Sequence, residues 1–336
     1  MYLVTAPLRG TSNVRYLPSL EFKRPRDIMV GVSLDYRRAR ESDIPSIAKV
    51  FATAINDVSI RHGFSENPVP PSPPNPQYAF WLKKDPGAFW VAESEGRVIG
   101  YTFSFLRGSL WFLADLFILP EHQGKGVGGA LIRKTLGSWR GRRIDNRALI
   151  TPAFNRASVS LYMRYGMLPR QPVYVASAPR KAVELSLKGK ANAELEADEP
   201  KVFRTVSPEL DRVHTLALGF PSGWHNQFFF EVLKARCLVF RKKGRPEGYS
   251  FVSPSGKIGP LVVRSAGSFA AAFDLTLRAA VEGDQENVSM YFPGTNGAAA
   301  SLSIKHGLRI VYPMLFLSSR SLGDFENYLF FSAGLM

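Results

Sequence analysis

The stretch LPEHQGKGVGGALI, residues 119–132, most tightly limits what this chain can fold into. An apolar run ends at Pro120, and an amphipathic helical pattern begins a few residues later. Between them stand Gly124, Gly126, Gly128 and Gly129. Glycine weakens a helix start, so this density needs a reason. Glycine lets the backbone take positive φ and approach a ligand closely. The first amides of a helix have no intrahelical acceptor, and the helix dipole favours an anion there. These features together make a cradle for a diphosphate. No Gly-Lys-Ser/Thr closes the loop, so it is not a Walker loop. The strand before it is the third of a hairpin series rather than the first of a βαβ unit, which argues against a dinucleotide fingerprint.

The surrounding pattern reads as alternating strands and helices. Residues 36–39 form a short strand. A helix then starts at Ser42, with Ile44, Ile47, Ala48, Phe51, Ala54, Ile55 and Val58 at helical spacing. Residues 66–76 are Pro-dense and read as a loop. A short helix at 77–84 precedes three strands at 88–93, 97–106 and 110–119. The glycine loop opens the next helix. A strand at 147–151, a helix at 155–165 ended by Gly166, and a strand at 173–176 complete the series.

A polar connector, residues 177–200, follows, and then the pattern starts again. Strands are expected at 202–206, 237–241, 248–253, 258–263, 288–292 and 310–317, and helices at 208–218, 224–234, 269–280 and 297–306. PAFNRASVSLYMRYG at 152–166 aligns with PGTNGAAASLSIKHG at 293–307, at a constant offset from Pro152/Pro293 through Asn155/Asn296 to Gly166/Gly307. The chain has 336 residues, and domains run on the order of 100–200 residues, so two copies of one fold are the natural division.

Composition narrows the setting. No apolar run approaches the roughly 18 residues of a membrane span. The first 33 residues lack the pattern of a signal peptide and read as a tail, within which Met29 is an alternative start. The single cysteine, Cys237, forms no internal disulfide and sits in an apolar stretch that suits a buried thiol. The expected location is the cytoplasm. The net charge of +15 attracts polyanions without selecting among them. Arg140, Arg142, Arg143 and Arg147 form its one local cluster, which reads equally as a solvated helix end or a phosphate site.

Gln123-Gly124-Lys125-Gly126-Val127-Gly128 resembles the Gln/Arg-x-x-Gly-x-Gly/Ala signature of the GNAT acyltransferase superfamily. Asn155, Ser158 and Tyr162, followed by Gly166, resemble its second block, and the element order over 36–176 is similar to that fold. The resemblance implies an α/β (α+β type) architecture, two tandem GNAT-like domains, each a mixed sheet flanked by helices. The boundaries are a tail at 1–33, an acetyltransferase domain at 34–176, a linker at 177–200, a degenerate GNAT-like domain at 201–320 and a tail at 321–336. Acetyl-CoA is the implied co-substrate, with no metal. It would lie where the sheet splays at a bulge in the 110–119 strand. Backbone groups of Leu116, Phe117 and Ile118 would pair with the pantetheine arm. The amides of Gln123, Gly124, Lys125, Gly126, Val127, Gly128 and Gly129 would hold the diphosphate. Asn155 and Ser158 would line the arm from the other side, and Tyr162 would act as the acid. The implied reaction is direct attack of an amine, small-molecule or protein, on the thioester in a ternary complex.

Two departures qualify the resemblance. Several family members carry a glutamate two positions before Leu116, where this chain has Ala114. Strand alternation points the adjacent Asp115 to the other face, and His62 and Glu93 are conceivable bases. The second copy has only Gly267 in place of the four glycines, and Ser303 in place of Tyr162. That copy is expected to have lost the cradle and the acid, and to shape the acceptor pocket or pack against the first. The Pro-dense loop falls where the family forms part of its acceptor site. An alternative reading is a non-catalytic acyl-CoA sensor. Nucleic-acid association, motivated by charge alone, ranks below both.

Overall fold

The computed structural model describes residues 34–64, 75–189 and 194–336, so the tail read at 1–33 and most of the Pro-dense loop lie outside the described residues. In chain order the first half holds β1 (Leu34–Arg38), α1 (Ile44–Arg61), α2 (Pro76–Lys84), β2 (Phe89–Ser94), β3 (Arg97–Arg107) and β4 (Leu110–Ile118). It continues through α3 (Val127–Gly137), β5 (Asn146–Pro152), α4 (Arg156–Met163) and β6 (Leu168–Pro179). A 3-10 turn over Glu41–Asp43 delays the first helix to Ile44, with Pro45 in its first turn, where a missing N–H breaks no bond. Asn75 caps α2 by accepting from the Gln77 amide at 3.0 Å.

The second half adds α5 (Arg180–Ser186), β7 (Glu196–Asp198), α6 (Phe203–Leu218) and α7 (His225–Gln227), which runs on as a π-turn over Phe228–Val232. Then come β8 (Arg236–Lys242), β9 (Arg245–Val252), β10 (Lys257–Val263), α8 (Phe269–Val281), β11 (Asn287–Pro293), α9 (Gly297–Lys305), β12 (Arg309–Ser318) and β13 (Tyr328–Leu329).

Three stretches differ from the sequence reading. The strand expected at 202–206 is the first part of α6, which continues through Pro208. Tertiary packing outweighs the proline: Phe203 contacts Phe230 at 5.7 Å between ring centroids, and Leu210, Val213, Ala217 and Leu218 are buried. Residues 177–200, read as connector, hold the end of β6, all of α5 and β7. Residues 321–336, read as a tail, enter the core, where Tyr328, Leu329 and Phe330 are 0% exposed.

Among the described residues thirteen strands join in one sheet, ordered β1-β2-β3-β4-β5-β12-β6-β11-β10-β9-β8-β7, with β13 on β10. The halves exchange their last long strands. β12 pairs with β5 of the first half, Met314 opposite Pro152. β6 pairs with β11 of the second, Asn287 opposite Pro179. The exchanged strands also pair with each other.

On one face of the first half, alternate β3 residues Tyr101, Phe103 and Phe105 are buried, and Trp81 of α2 stacks on Phe103 at 4.2 Å. On the other face Trp111, Leu113, Ile132 and Tyr162 cluster. Burying each such aromatic ring stabilises the fold by about 1.5–3 kcal/mol.

Candidate functional site

β4 runs parallel to β5 only at Leu110, Trp111 and Phe112, opposite Asn146, Arg147 and Ala148. Beyond that the two strands part. β4 stays on β3, with Thr102 opposite Leu116, Tyr101 opposite Phe117 and Gly100 opposite Ile118. The register shifts between Phe103–Asp115 and Ser104–Leu113, so Ala114 is an extra residue, a β-bulge. The half-buried residues Leu116, Phe117 and Ile118 therefore turn the side of the strand away from β3 toward the gap.

The glycine loop closes the end of that gap. The Gln123 side-chain amide donates to the Ile118 carbonyl at 2.9 Å and ties the loop to the strand. Gly124 and Gly126 have φ of 74° and 83°, which L side chains rarely adopt. Gly126 is the N-cap of α3, and no side chain caps that helix. By helix geometry the amides of Val127, Gly128 and Gly129 have no intrahelical acceptor. Gln123, Gly124, Lys125 and Gly126 are exposed, so this concave turn of amides faces outward. A Cβ on Gly128 would stand 3.1 Å from Ile118 Cδ1 and 3.2 Å from Leu161 Cδ2. Glycine there lets α3 sit close against β4 and α4.

α4 forms the other wall. Asn155 caps it, its Oδ1 accepting from the Ser158 amide at 3.2 Å. Ser158 stands one turn before Tyr162 on the helix and partly offsets the upward push on its hydroxyl. Tyr162 is buried among Trp111, Leu113 and Ile132. Burial, with a smaller push from Asp115, raises its hydroxyl above the usual phenol range, so it stays protonated at neutral pH.

Asp115 is the residue that the alternation rule misplaces. The bulge adds one residue, so Phe112 and Asp115, three apart, share a face. Phe112 stacks on Phe105 at 5.1 Å, and Asp115 Oδ2 accepts from the Tyr101 hydroxyl at 2.9 Å. The Tyr78 and Tyr101 hydroxyls are 3.1 Å apart, which extends the chain to α2. Burial pushes the Asp115 carboxyl up to about 7, only partly offset by the Tyr101 hydrogen bond. The other conceivable bases are placed differently. Glu93 binds Arg37 at 2.8 Å. His62 lies against Phe154, 5.0 Å between ring centroids, at the end of α1.

The second half repeats this ground plan with other contents. Gly248-Tyr249-Ser250-Phe251 on β9 matches Gly100-Tyr101-Thr102-Phe103 on β3. β10 also breaks register, between Ile258 and Leu261, so Gly259 and Pro260 stand where Ala114 and Asp115 stand. Tyr249 finds His214 Nδ1 at 2.7 Å instead of a carboxylate. Gly267, unlike Gly124 and Gly126, is not at positive φ. The Ser303 hydroxyl donates to the Ala299 carbonyl at 2.6 Å, a bond internal to its own helix. Cys237 is buried and its thiol is pushed up to about 12, which leaves it unreactive. In the arginine cluster Arg143 pairs with Asp145 at 2.8 Å, and Arg147 donates to the Tyr165 carbonyl at 3.1 Å. No group of three or more His, Cys, Asp or Glu among the described residues is arranged to hold a metal.

A profile of the acetyltransferase (GNAT) family matches residues 58–167. L-2,4-diaminobutyric acid acetyltransferase of Nocardia farcinica is 29% identical over 107 residues, 30% of this chain and 55% of that protein. The match thus spans about half of that relative. An uncharacterized N-acetyltransferase of Escherichia coli, YjgM, is 30% identical over 136 residues, 39% of this chain and 79% of that one. A putative acetyltransferase from Pyrococcus horikoshii superposes with a TM-score of 0.69 at 17% identity, covering 94% of this chain and 98% of that chain. A tandem GNAT protein from the clavulanic acid biosynthesis pathway gives 0.54 at 15% identity, covering 86% and 98%. At these identities the superpositions establish fold.

Proposed function

This chain belongs to the GNAT acetyltransferase family, and from that premise we propose that it moves an acetyl group from acetyl-CoA to an amine by direct attack in a ternary complex. One observation carries the reading. β4 parts from β5 beyond Phe112, along the stretch that carries Asp115 and ends where Gln123 ties the glycine loop to Ile118, with Tyr162 of α4 packed against Leu113. The residues present fit the co-substrate. The exposed glycine loop, leading into the uncapped amides at the start of α3, suits a diphosphate. The backbone of Leu116, Phe117 and Ile118 suits the amides of a pantetheine arm, and Asn155 and Ser158 stand opposite.

In the proposed reaction the amine nitrogen attacks the thioester carbonyl. A carbon–nitrogen bond forms and the carbon–sulfur bond breaks. Asp115 takes the proton shed by the nitrogen, directly or through the Tyr101 and Tyr78 hydroxyls. A carboxylate held near 7 is matched to that task at neutral pH. Tyr162 supplies the proton that the leaving thiolate takes up.

We also read the chain as two GNAT-like halves, the first running to the end of β6 and the second through β13 and the C-terminal segment, of which only the first keeps the cradle and the acid. The acceptor is an amine, small-molecule or protein, and the Pro-dense loop falls where the family forms part of its acceptor site. The proposed setting is the cytoplasm. No described helix is long and apolar enough to cross a membrane.

Isothermal titration with acetyl-CoA tests the reading first. One site per chain, lost in Gly126→Glu, supports it and justifies an amine screen. Absence of binding sinks it. The deep burial of Asp115 favours one rival, an acyl-CoA sensor without turnover. Binding with no acetyl transfer to any amine of a broad panel would select that rival.

A further inference from the structure

The second half treats its own C-terminal segment as a strand-gap ligand. β10 pairs with β11 only at Lys257 and Ile258 and then parts from it, as β4 parts from β5. β13 enters that gap. Leu329 pairs with Leu261 and Tyr328 with Val262, antiparallel, and the Phe330 amide donates to the Tyr291 carbonyl of β11 at 2.9 Å. Asn296, the counterpart of Asn155, turns its side-chain amide onto the segment. Its Nδ2 donates to the Glu326 carbonyl at 2.9 Å and the Tyr328 carbonyl at 3.4 Å. A Cβ on Gly259, at the β10 bulge, would run into the Phe330 carbonyl.

From that anchor the chain crosses to the first half. Phe331 meets Phe229 of the π-turn at 4.5 Å between ring centroids. Gly334 lies over the β4 bulge, where a Cβ would stand 3.1 Å from the Ala114 carbonyl and 3.2 Å from Asp115 Oδ1. Leu335 and Met336 are buried beyond it.

We propose that residues 328–336 form one positioning element, anchored in the strand gap of the second half, whose far end at Gly334 closes over Asp115 and sets that carboxyl's surroundings. This rests on reading Asp115 as the base, and it gives the half without a cradle a task. The titratable groups facing Asp115 are Tyr101 of β3 and, through it, Tyr78 of α2, while Tyr162 of α4 feels its charge from the other side of the strand. The closing stretch, Phe331-Ser332-Ala333-Gly334-Leu335-Met336, brings no charged side chain. It therefore acts by excluding water, which holds the carboxyl up.

The test is a titration of carboxyl-labelled aspartate by carbon-13 NMR in the full chain, with the Asp115 signal assigned by Asp115→Asn. Gly334→Val forces the segment off the bulge, and Asn296→Ala loosens the anchor without touching the first half. In both variants the Asp115 midpoint should fall toward the ordinary range, by about one unit in Gly334→Val, a tenfold change in its ionisation ratio. Acetyl-CoA stoichiometry should stay at one per chain. A midpoint unchanged in both variants overturns the proposal. The NMR signal does not depend on turnover. A midpoint that falls while the pH profile of acetyl transfer stays put would keep the positioning element and remove Asp115 as the base.

Discussion

Each half buries a tyrosine at the same place on its central strand, Tyr101 and Tyr249, and gives it a different partner. Tyr101 donates to a carboxylate on the neighbouring strand. Tyr249 bonds an imidazole from a helix. The carboxylate half also carries an outward-facing loop of amides and a gap between strands. The imidazole half fills its gap with its own chain. One scaffold therefore carries either an open strand gap beside a glycine loop or a gap filled by its own chain. The difference lies in a few positions at the bulge and the loop, while the apolar layers on both sides are kept.

The sharpest way to break the comparison is to load both loops with the same charge. Gly126→Glu strains a positive-φ position and puts an anion in the cradle. Acetyl-CoA affinity measured by calorimetry should fall more than ~1000-fold, beyond 4 kcal/mol. Gly267→Glu, at an ordinary backbone conformation, should leave it unchanged. Equal losses would mean that the second loop also binds.

Removing the hydroxyl of α4 comes next. Tyr162→Phe should lower the rate of acetyl transfer by about 10²–10³, with little change in acetyl-CoA affinity. Ser303→Ala should not alter the rate.

The two tyrosine partners should answer pH in opposite directions. Asp115 is held up to about 7, so the folded state keeps a proton that the unfolded chain releases near pH 4. Its contribution is complete at low pH and is lost as pH rises through 7, by roughly 2–3 kcal/mol between pH 5 and 8. His214 is pushed down to about 3 by burial. The unfolded chain takes up a proton near pH 6.5 that the folded state refuses until about 3. Stability is therefore lost as pH falls, by a similar amount between pH 7 and 4. The two windows overlap between about pH 4 and 6.5, where the opposite slopes largely cancel. In urea unfolding, Asp115→Asn should therefore leave stability rising with pH across that range, and His214→Phe should leave it falling.

The helix caps give the smallest contrast. Asn155→Ala should lower stability by about 1 kcal/mol. Asn296→Ala removes a cap and also strips partners from two carbonyls of the C-terminal segment, so about 2 kcal/mol is expected. Equal thermal shifts would argue that the Asn296 amide does not hold that segment.

Much of this comparison was written in local sequence. The Gly124–Gly129 spacing marks a strand end and a helix start, and Asn155 and Asn296, at a constant offset, each mark a helix cap. Asp115 escaped because alternation holds only in a regular strand, and nothing local marks Ala114 as the extra residue. Pro208 suggested a helix start, yet α6 passes through it because Phe203 has Phe230 to pack on. The C-terminal segment carried a legible signal in Tyr328-Leu329-Phe330-Phe331, a run too apolar for a solvated tail. The exchange of β6 and β12 left no local trace, because strand partners more than a hundred residues apart are chosen by the assembled sheet.

That exchange makes the molecule behave like a homodimer whose subunits have been spliced end to end and then interlocked. Each half lends the other its hem. A chain cut within 187–195 would yield two pieces that each display the wrong final strand, β6 without β11 and β12 without β5. Mixed together, such pieces should seek each other and rebuild one particle. Either piece alone would expose a long sheet edge and tend to self-associate. A site on one side of such a joint is inherited by the whole chain, and neither half can be transplanted without the other.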